Sequence, residues 1–233
     1  MTFSPQWNDA NPRGDEMGMQ GPMALMLHFF VGHLKGQRVL ELGCGAGKAA
    51  KQMIEQGVEY YGIDGRDESI RKAALIEGAH VHCGDFTKEQ PFEGGFDIVM
   101  DRASVPHNDL ESIERCVWLI WSALKPGGLY VSSDWFSSHH SEVWRGDVVD
   151  GMTRNNYPDG QFHGVGNVHF SSERELCKLF APFERRWLEE RLTRRPMRTG
   201  FLSGEQDAPW ISPHYGKKEY TSAVWDLLVR KPK

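Results

Sequence analysis

Cysteine is scarce in this sequence, and its cysteines lie far apart along the chain. The chain has four cysteines among 233 residues, and none of them belongs to a Cys-x-x-Cys pattern. The spacing therefore indicates neither a disulfide framework nor a zinc knuckle. His80 and His82 share one face of a predicted strand, but no third ligand lies near them in the sequence. Because a protein metal site of this kind takes three or four ligands, we predict no metal site.

Long apolar runs and an excess of basic residues are also lacking. The longest apolar run, residues 23–31, contains His28 and is far shorter than the ~20 residues that span a bilayer. Asp15 and Glu16 precede this run, where a signal peptide would carry basic residues. The formal net charge of −5 argues against a nucleic acid as the main partner. We therefore expect a cytoplasmic protein with a small-molecule partner and neither a membrane nor a nucleic-acid partner; its oligomeric state stays open.

A glycine-rich turn is the most informative feature that is present. Residues 39–47 read Val-Leu-Glu-Leu-Gly-Cys-Gly-Ala-Gly, an apolar strand that runs into a turn, and a predicted helix follows over 48–56. Gly43, Gly45 and Gly47 permit backbone angles and a close ligand approach that a Cβ atom would block. The start of the helix adds unpaired N–H groups and a partial positive charge. The turn therefore predicts a ligand that lies against the main chain.

Two common glycine-rich loops do not fit this turn. A Walker loop would need a serine or threonine at position 49 to bind Mg²⁺, and the sequence has Ala49. A dinucleotide fingerprint would need glycine or alanine at position 48, and the sequence has Lys48. A nucleotide-dependent oxidoreductase is therefore disfavoured.

Acidic residues follow the next two predicted strands. Asp64 ends the strand 59–64 and lies 21 residues after Gly43, the interval at which a Rossmann-type sheet holds a ribose. Asp85 ends a third strand and is followed by Phe86. Acids at strand ends are also ordinary turn and capping residues, so a purely structural role is the alternative for both.

These features, in this order, resemble the class I S-adenosylmethionine (SAM) methyltransferases. Glu41 matches the acid of the family's motif I, Asp101-Arg102 stands where the family has motif IV, and Leu-Lys-Pro-Gly-Gly over 124–128 resembles the turn before its fifth strand. The resemblance covers 37–135 and implies SAM as cofactor and S-adenosylhomocysteine (SAH) as product. It implies these cofactor-binding residues: Glu41, Gly43, Cys44, Gly45, Gly47, Asp64, Gly65, Asp85, Phe86, Asp101 and Arg102.

The alternation of strands and helices predicts an α/β fold. We expect a Rossmann-like, seven-stranded, mostly parallel sheet with a C-terminal antiparallel hairpin and helices on both faces. The chain is interpreted as a single domain, 1–233. Its parts are an N-terminal lid or cap (1–36), a SAM-binding core (37–135) and two inserts (136–170 and 193–218), the first of which faces the substrate.

The stretch over 135–168 lacks helix or strand periodicity and is predicted to be irregular. A long irregular stretch in a compact domain is usually functional or disordered. Its aromatic residues could form an apolar pocket for the acceptor or could only fasten a long loop to the sheet. They are Trp135, Phe136, Trp144, Tyr157 and Phe162.

Methyl transfer from a sulfonium is an in-line displacement, so positioning supplies much of the catalysis. A general base is needed only if the acceptor arrives protonated. His107, just past the fourth strand, and Asp134, at the end of the fifth, are the catalytic candidates. His139, His140 and His163 are weaker ones, and a solvated loop histidine is the alternative for each. O-, N- and S-methylation all remain open.

Two other functions remain alternatives. An RNA methyltransferase could use the arginines between 185 and 198 to bind phosphates, although Glu184, Glu189 and Glu190 interrupt that cluster. A SAM-binding protein without catalytic activity would keep the same cofactor residues.

Overall fold

The computed structural model describes residues 21–196 and 219–233. The expected lid therefore lies partly, and the insert 193–218 mostly, outside the described residues. The first described helix, α1 (Pro22–Phe30), begins at a proline, whose missing N–H costs nothing at a helix start. Of the helices in the two described ranges, none is both long and apolar enough to cross a membrane.

Seven strands form the main sheet, in the order β3-β2-β1-β4-β5-β10-β9. The first five are parallel, and β10 pairs antiparallel with both β5 and β9. This arrangement confirms the predicted fold class. The strands are β1 (Arg38–Leu42), β2 (Glu59–Asp64), β3 (Ala79–Cys83), β4 (Phe96–Arg102), β5 (Leu124–Phe136), β9 (Glu184–Pro196) and β10 (Glu219–Arg230).

The helices between the strands begin at recognisable caps. Asp109 accepts a hydrogen bond from the Ser112 N–H at the start of α4, and Ser172 accepts one from the Glu175 N–H at the start of α5. A short 3₁₀ turn, Val105–His107, follows β4. The helices after α1 are α2 (Lys48–Glu55), α3 (Asp67–Ala73), α4 (Leu110–Ala123) and α5 (Glu173–Leu179).

Each face of the sheet has its own apolar core because side chains alternate along a strand. Leu40 and Val99 face the core formed with α4 and α5, whereas Val39, Ile98 and Met100 face the core formed with α1 and α2. The helices thereby cover both faces and leave the carboxyl edge of the parallel strands open for a site.

The first insert is not irregular, which corrects the prediction for 135–168. It contains a small antiparallel sheet of β6 (Asp147–Asp150), β7 (Thr153–Asn155) and β8 (Val168–His169). Its own apolar cluster includes Tyr157 and Phe170. These strands have only two to four residues, which is too short for periodicity to show in the sequence.

Candidate functional site

A cavity of about 450 Å³ opens at the carboxyl edge of the parallel strands. Open α/β sheets bind ligands at this edge. The glycine-rich turn after β1 forms one end of the cavity, which we call the cofactor end. Residues of β5, the first insert and the β9–β10 hairpin form the other end, which we call the acceptor end.

The glycine turn has the backbone that the sequence predicted. Gly43, Gly45 and Gly47 have φ angles of 73°, 53° and 79°, which favour glycine. A Cβ atom on Gly43 would lie 2.2 Å from Ser104 Oγ. The Gly45 N–H donates to Asp64 Oδ2 at 2.9 Å, so the turn is tied to the end of β2. Glycine at these positions leaves the main chain there without side chains, so a ligand can lie directly against it.

Glu41 lies at the base of this turn and is 8% exposed. Burial raises the pKa of Glu41 to about 8, although a 2.5 Å hydrogen bond donated by the Tyr60 hydroxyl works in the opposite direction. Nearby Asp64 adds to the increase in this pKa through like charge. The carboxyl group is therefore mostly protonated at neutral pH and can ionise when a cation binds beside it.

Asp64 and Asp85 are oriented by local hydrogen bonds. Asp64 Oδ1 accepts from the Arg66 N–H at 2.8 Å. Asp85 Oδ1 accepts from the Thr87 N–H and hydroxyl at 3.0 and 2.6 Å, and Lys88 Nζ lies 2.7 Å from Asp85 Oδ2. Burial alone would raise the pKa of Asp85, but the bonds from Lys88 and Thr87 outweigh it and hold the pKa below its ordinary value. Both side chains are thereby held in place on the cavity wall.

Nine of the eleven residues predicted to bind the cofactor line the cavity, and Gly47 and Asp101 do not. Gly47 begins α2, where a Cβ atom would lie 2.7 Å from Ile76 Cδ1. Asp101 is fully buried and accepts from the N–H groups of Ser104 and Val105 at 3.0 and 3.1 Å. For Asp101 the contacts therefore indicate support of the 3₁₀ turn, not contact with a ligand.

Four charged side chains form a chain of ion pairs at the acceptor end. Asp134 accepts from Arg102 Nε at 3.0 Å and from Arg191 Nη2 at 2.6 Å. Arg191 also pairs through Nε and Nη2 with Asp226, which is 1% exposed. These contacts, first among them the hydrogen bond to Asp226, raise the pKa of Arg191. The network connects the ends of β4 and β5 to the middle of β9 and β10.

Backbone strain accompanies this network. Asp134 and its neighbour in space, Ala103, have φ angles of 61° and 50°, and the Ala103 N–H donates to the Ser133 carbonyl at 2.9 Å. Both residues line the cavity. Left-handed backbone at residues other than glycine is unfavourable and is concentrated at functional sites.

His107 and Asp134, the two catalytic candidates, both lie on the cavity wall. The Nδ1 of His107 is 3.1 Å from the Asn167 carbonyl, which can only accept, so Nδ1 carries the proton. Burial lowers the pKa of His107 to about 4, and the ring packs edge-on against Phe136. The imidazole is therefore neutral at physiological pH, with Nε2 as its accepting nitrogen. Asp134 already accepts hydrogen bonds from two arginines.

The aromatic residues of the first insert divide into three groups. Phe136 and Phe162 line the cavity, as the pocket interpretation expects. Trp135 lies in the core of the sheet and Tyr157 packs behind Phe162. Trp144 is 75% exposed and contacts Arg154 instead. Of the two interpretations left open for these five residues, the apolar pocket therefore applies to Phe136 and Phe162 only.

The weaker histidine candidates lie off the cavity wall. His140 is buried, His139 pairs with Glu190, and His163 contacts the Tyr157 carbonyl. In the described part of the chain, no three metal-ligating side chains come together, so no metal site is found there.

Several cavity residues were missed by sequence reasoning. They come from the insert and from the hairpin, where Thr193 pairs with Ser222 and Arg191 pairs with Val224. Alternation along β9 and β10 places these four on one face, but that signal is readable only once the register is known. The missed residues in these two segments are Gln161, Val165, Arg191, Thr193, Ser222 and Val224.

Comparison with known proteins agrees with this geometry. Residues 33–176 match the family model described as "Methyltransferase domain", and the chain belongs to that family. The expected class, a class I methyltransferase with SAM as its cofactor, is thereby confirmed.

Two curated relatives illustrate how much of the chain is shared. A ubiquinone biosynthesis O-methyltransferase of Rhizobium rhizogenes is 34% identical over 106 residues, which are 43% of this chain and 42% of that protein. A sterol 24-C-methyltransferase of Pneumocystis carinii is 33% identical over 110 residues, 43% of this chain and 28% of that protein. The chain spans less than half the length of these relatives.

Solved structures match over most of the chain. A SAM-dependent methyltransferase of Methanosarcina mazei has a TM-score of 0.63 at 17% identity, over 91% of this chain and 98% of that one. The 1,6-didemethyltoxoflavin-N1-methyltransferase of Burkholderia thailandensis has a TM-score of 0.59 at 18% identity, over 90% and 76%. At this identity the likeness shows the fold alone.

Proposed function

We propose that this protein transfers the methyl group of SAM to a small-molecule acceptor and releases SAH. The observation that carries this proposal is a single cavity of about 450 Å³ that joins the glycine turn to the acceptor end. A cavity of this size suits a small ligand better than an extended polyanion. The methyltransferases of ubiquinone and sterol synthesis among the relatives are consistent with an acceptor of this kind.

At the cofactor end, the residues fit SAM. Gly43 has a φ of 73° and a Cβ atom there would collide with Ser104, so the turn keeps its shape only with glycine at this position, and it lines the cavity. Asp64 would accept hydrogen bonds from the ribose hydroxyls, and Asp85 with Phe86 would contact the adenine. SAM supplies the electrophilic methyl group on its sulfonium.

At the acceptor end, His107 would accept a hydrogen bond from a hydroxyl or amine of the acceptor and so orient its lone pair. A pKa near 4 makes His107 a weak base, so its contribution is orientation more than proton removal. Phe136 and Phe162 would exclude water around the reacting atoms. The ion pair of Arg102 and Asp134 would stabilise the part of the cavity wall that lies between the cofactor end and the acceptor end.

The organisation of the chain is part of the proposal. We take residues 1–233 as one domain in which 1–36 covers the cofactor, because Met23 of α1 already lines the cavity. The first insert would face the substrate through Phe162 and Gln161. We also place the protein in the cytoplasm.

An assay with SAM labelled in the methyl group tests the proposal. The enzyme is incubated with a metabolite extract in one arm and with total RNA in the other. The expected result is label in a small product and none in RNA. Label in RNA would favour the alternative of an RNA methyltransferase. Binding of SAM and SAH without label transfer in either arm would indicate a protein that binds SAM without turnover.

A further inference from the structure

Arg191, at the acceptor end, has two N–H donors that are not used in its ion pairs. It lines the cavity, and its side chain is 35% exposed. Its Nε–H and both Nη2–H donors are directed at Asp226 and Asp134. Within residues 21–196 and 219–233, no acceptor lies within bonding distance of Nη1. The two Nη1–H donors are therefore available to a ligand.

The two carboxylates fix the direction of these donors. Both oxygens of Asp226 accept from the guanidinium, one from Nε and one from Nη2. Because Asp226 is 1% exposed, it does not contact a ligand itself. Asp134 holds the second edge and is in turn held by Arg102. A guanidinium gripped on two sides has little rotational freedom left to lose when a ligand binds.

Two hydroxyl groups lie beside Arg191 on the same face of the hairpin. Thr193 follows two residues later on β9, and Ser222 pairs with Thr193 from β10. Both line the cavity. Hydroxyls can donate to the same group that the guanidinium binds, so several donors converge on one patch of the wall.

The network as a whole carries no net charge, because Arg102 and Arg191 are balanced by Asp134 and Asp226. Both arginines line the cavity and Asp226 does not, so the directed Nη1 donors of Arg191, not an excess of positive charge, would bind an anion. Asp134 already accepts from both arginines. His107 adds no charge, because it is neutral at physiological pH.

We propose that the acceptor is a small anion, an apolar or aromatic ring that carries a carboxylate, and that Arg191 determines this specificity. Nη1 of Arg191, with the Thr193 and Ser222 hydroxyls, binds the carboxylate, while Phe136 and Phe162 pack against the ring. The carboxylate only anchors the acceptor; a different atom of the acceptor is methylated. This inference rests on the proposed function and adds to it the chemical class of the acceptor.

Fractionation of the metabolite extract separates this inference from the proposed function. The extract is passed over an anion exchanger at pH 7, and each fraction is incubated with labelled SAM. The expected result is product from the retained, anionic fraction. Product from the unretained fraction alone would overturn the anionic acceptor and leave the methyltransferase intact. Absence of product from every fraction would reject the proposed function itself.

Variants of Arg191 provide the second measurement. Arg191→Met is combined with Asp226→Asn, so that no buried carboxylate is left without its partner. We expect the KM for the active fraction to rise at least tenfold, with the affinity for SAH unchanged by calorimetry. Arg191→Lys keeps the positive charge but loses the paired N–H donors of the guanidinium, so we expect a KM between those of the wild type and the double variant. Arg194→Met, on the same strand but outside the cavity wall, is the matched control and should behave as the wild type.

A binding readout that needs no turnover uses benzoate and its neutral counterpart benzamide. Saturation-transfer NMR with the enzyme filled with SAH should detect benzoate more strongly than benzamide. The Arg191→Met/Asp226→Asn variant should lose that difference, and the Arg194→Met variant should keep it. Equal signals from the two compounds in the wild type, or a benzoate preference that survives the double substitution, would overturn the proposal.

Discussion

At the cofactor end of the cavity the main chain supplies much of the binding surface, whereas at the acceptor end side chains supply nearly all of it. The glycine turn occupies five consecutive residues, 43–47, and its geometry is local. The acceptor end is assembled from β5, the first insert and both strands of the hairpin. A binding surface made of main chain is disrupted when a substitution adds a side chain to it. A site assembled from side chains of distant segments is disrupted when one side chain loses its interaction partner. The predicted effects of substitution therefore differ in kind between the two ends.

The largest expected effect is that of Gly43→Ala at the cofactor end. The new Cβ atom would lie 2.2 Å from Ser104 Oγ, at a residue with a φ of 73°. Overpacking and backbone strain together should cost roughly 3 kcal/mol, seen as loss of detectable SAH binding by calorimetry and a lower melting temperature.

Substitutions of two other glycines distinguish the effect of overpacking from that of backbone strain. Gly151→Ala meets nothing within 4 Å and has no positive φ, so it should be near neutral; Gly32→Ala also meets nothing but has a φ of 74°. Gly32→Ala should therefore lose only about 1 kcal/mol of stability, from strain. Normal SAH binding by Gly43→Ala would show that the turn is not a ligand cradle.

The next largest effect is expected at the acceptor end, for Arg191→Met alone. This substitution leaves Asp226 buried without its cation. Breaking a fully buried pair costs roughly 3–5 kcal/mol, and the partial exposure of Arg191 reduces the expected loss to about 2 kcal/mol. Denaturant unfolding measures it, and adding Asp226→Asn should restore about half. If the single and the double variant unfold alike, the unpaired carboxylate of Asp226 is not what destabilises the single variant.

A comparable but purely local effect is expected for Asp64→Ala. SAM binding should weaken by about 2 kcal/mol, because charge-assisted bonds to the ribose are lost. Part of the loss would come from the Gly45 N–H, which donates to the same carboxylate. Asp64→Asn, which keeps one accepting oxygen, is the control and should lose less. Unchanged calorimetric affinity in the alanine variant would make Asp64 a structural residue only.

The smallest effect concerns pH. The folded protein holds His107 at a pKa of about 4, below the ordinary value of 6.5, so the unfolded chain binds more protons between these values. The contribution of His107 to stability should therefore rise with pH from 4 to 6.5 and fall on acidification through the same window, whereas that of Glu41, whose pKa is raised to about 8, has the opposite sign. His107→Gln removes this contribution, and its unfolding free energy should depend less steeply on pH there than that of the wild type. Parallel curves for the two proteins would contradict the burial of a neutral imidazole.

The two ends also differ in how far the sequence alone could predict them. The turn at Gly43, the acid at Asp64 and the alternation of strands and helices along the chain are local patterns with fixed spacing, so they were predicted. Arg191 and Ser222 reach the cavity only through the register of β9 and β10, which no local pattern encodes. Asp101 shows the opposite error: its position matches a motif, but its oxygens are directed to the 3₁₀ turn and Tyr130.

The insert shows a further limit. Its strands are too short for periodicity, and Trp144 lies outside them, while Trp135 and Phe136 are the last two residues of β5; the sequence did not show which of these three side chains reaches the cavity. Only packing separates the buried tryptophan and the exposed one from the phenylalanine on the cavity wall. Long-range side-chain assembly is therefore the part of this site that needed the structure.

The central claim is that the cavity at the carboxyl edge binds SAM and its product beside a small-molecule pocket. Calorimetric titration of the whole chain with SAH, and separately with NAD, tests this most directly. We predict one molar equivalent of SAH bound, with NAD giving no comparable heat. Preferential binding of NAD, or no heat with SAH from a folded sample, would contradict the account.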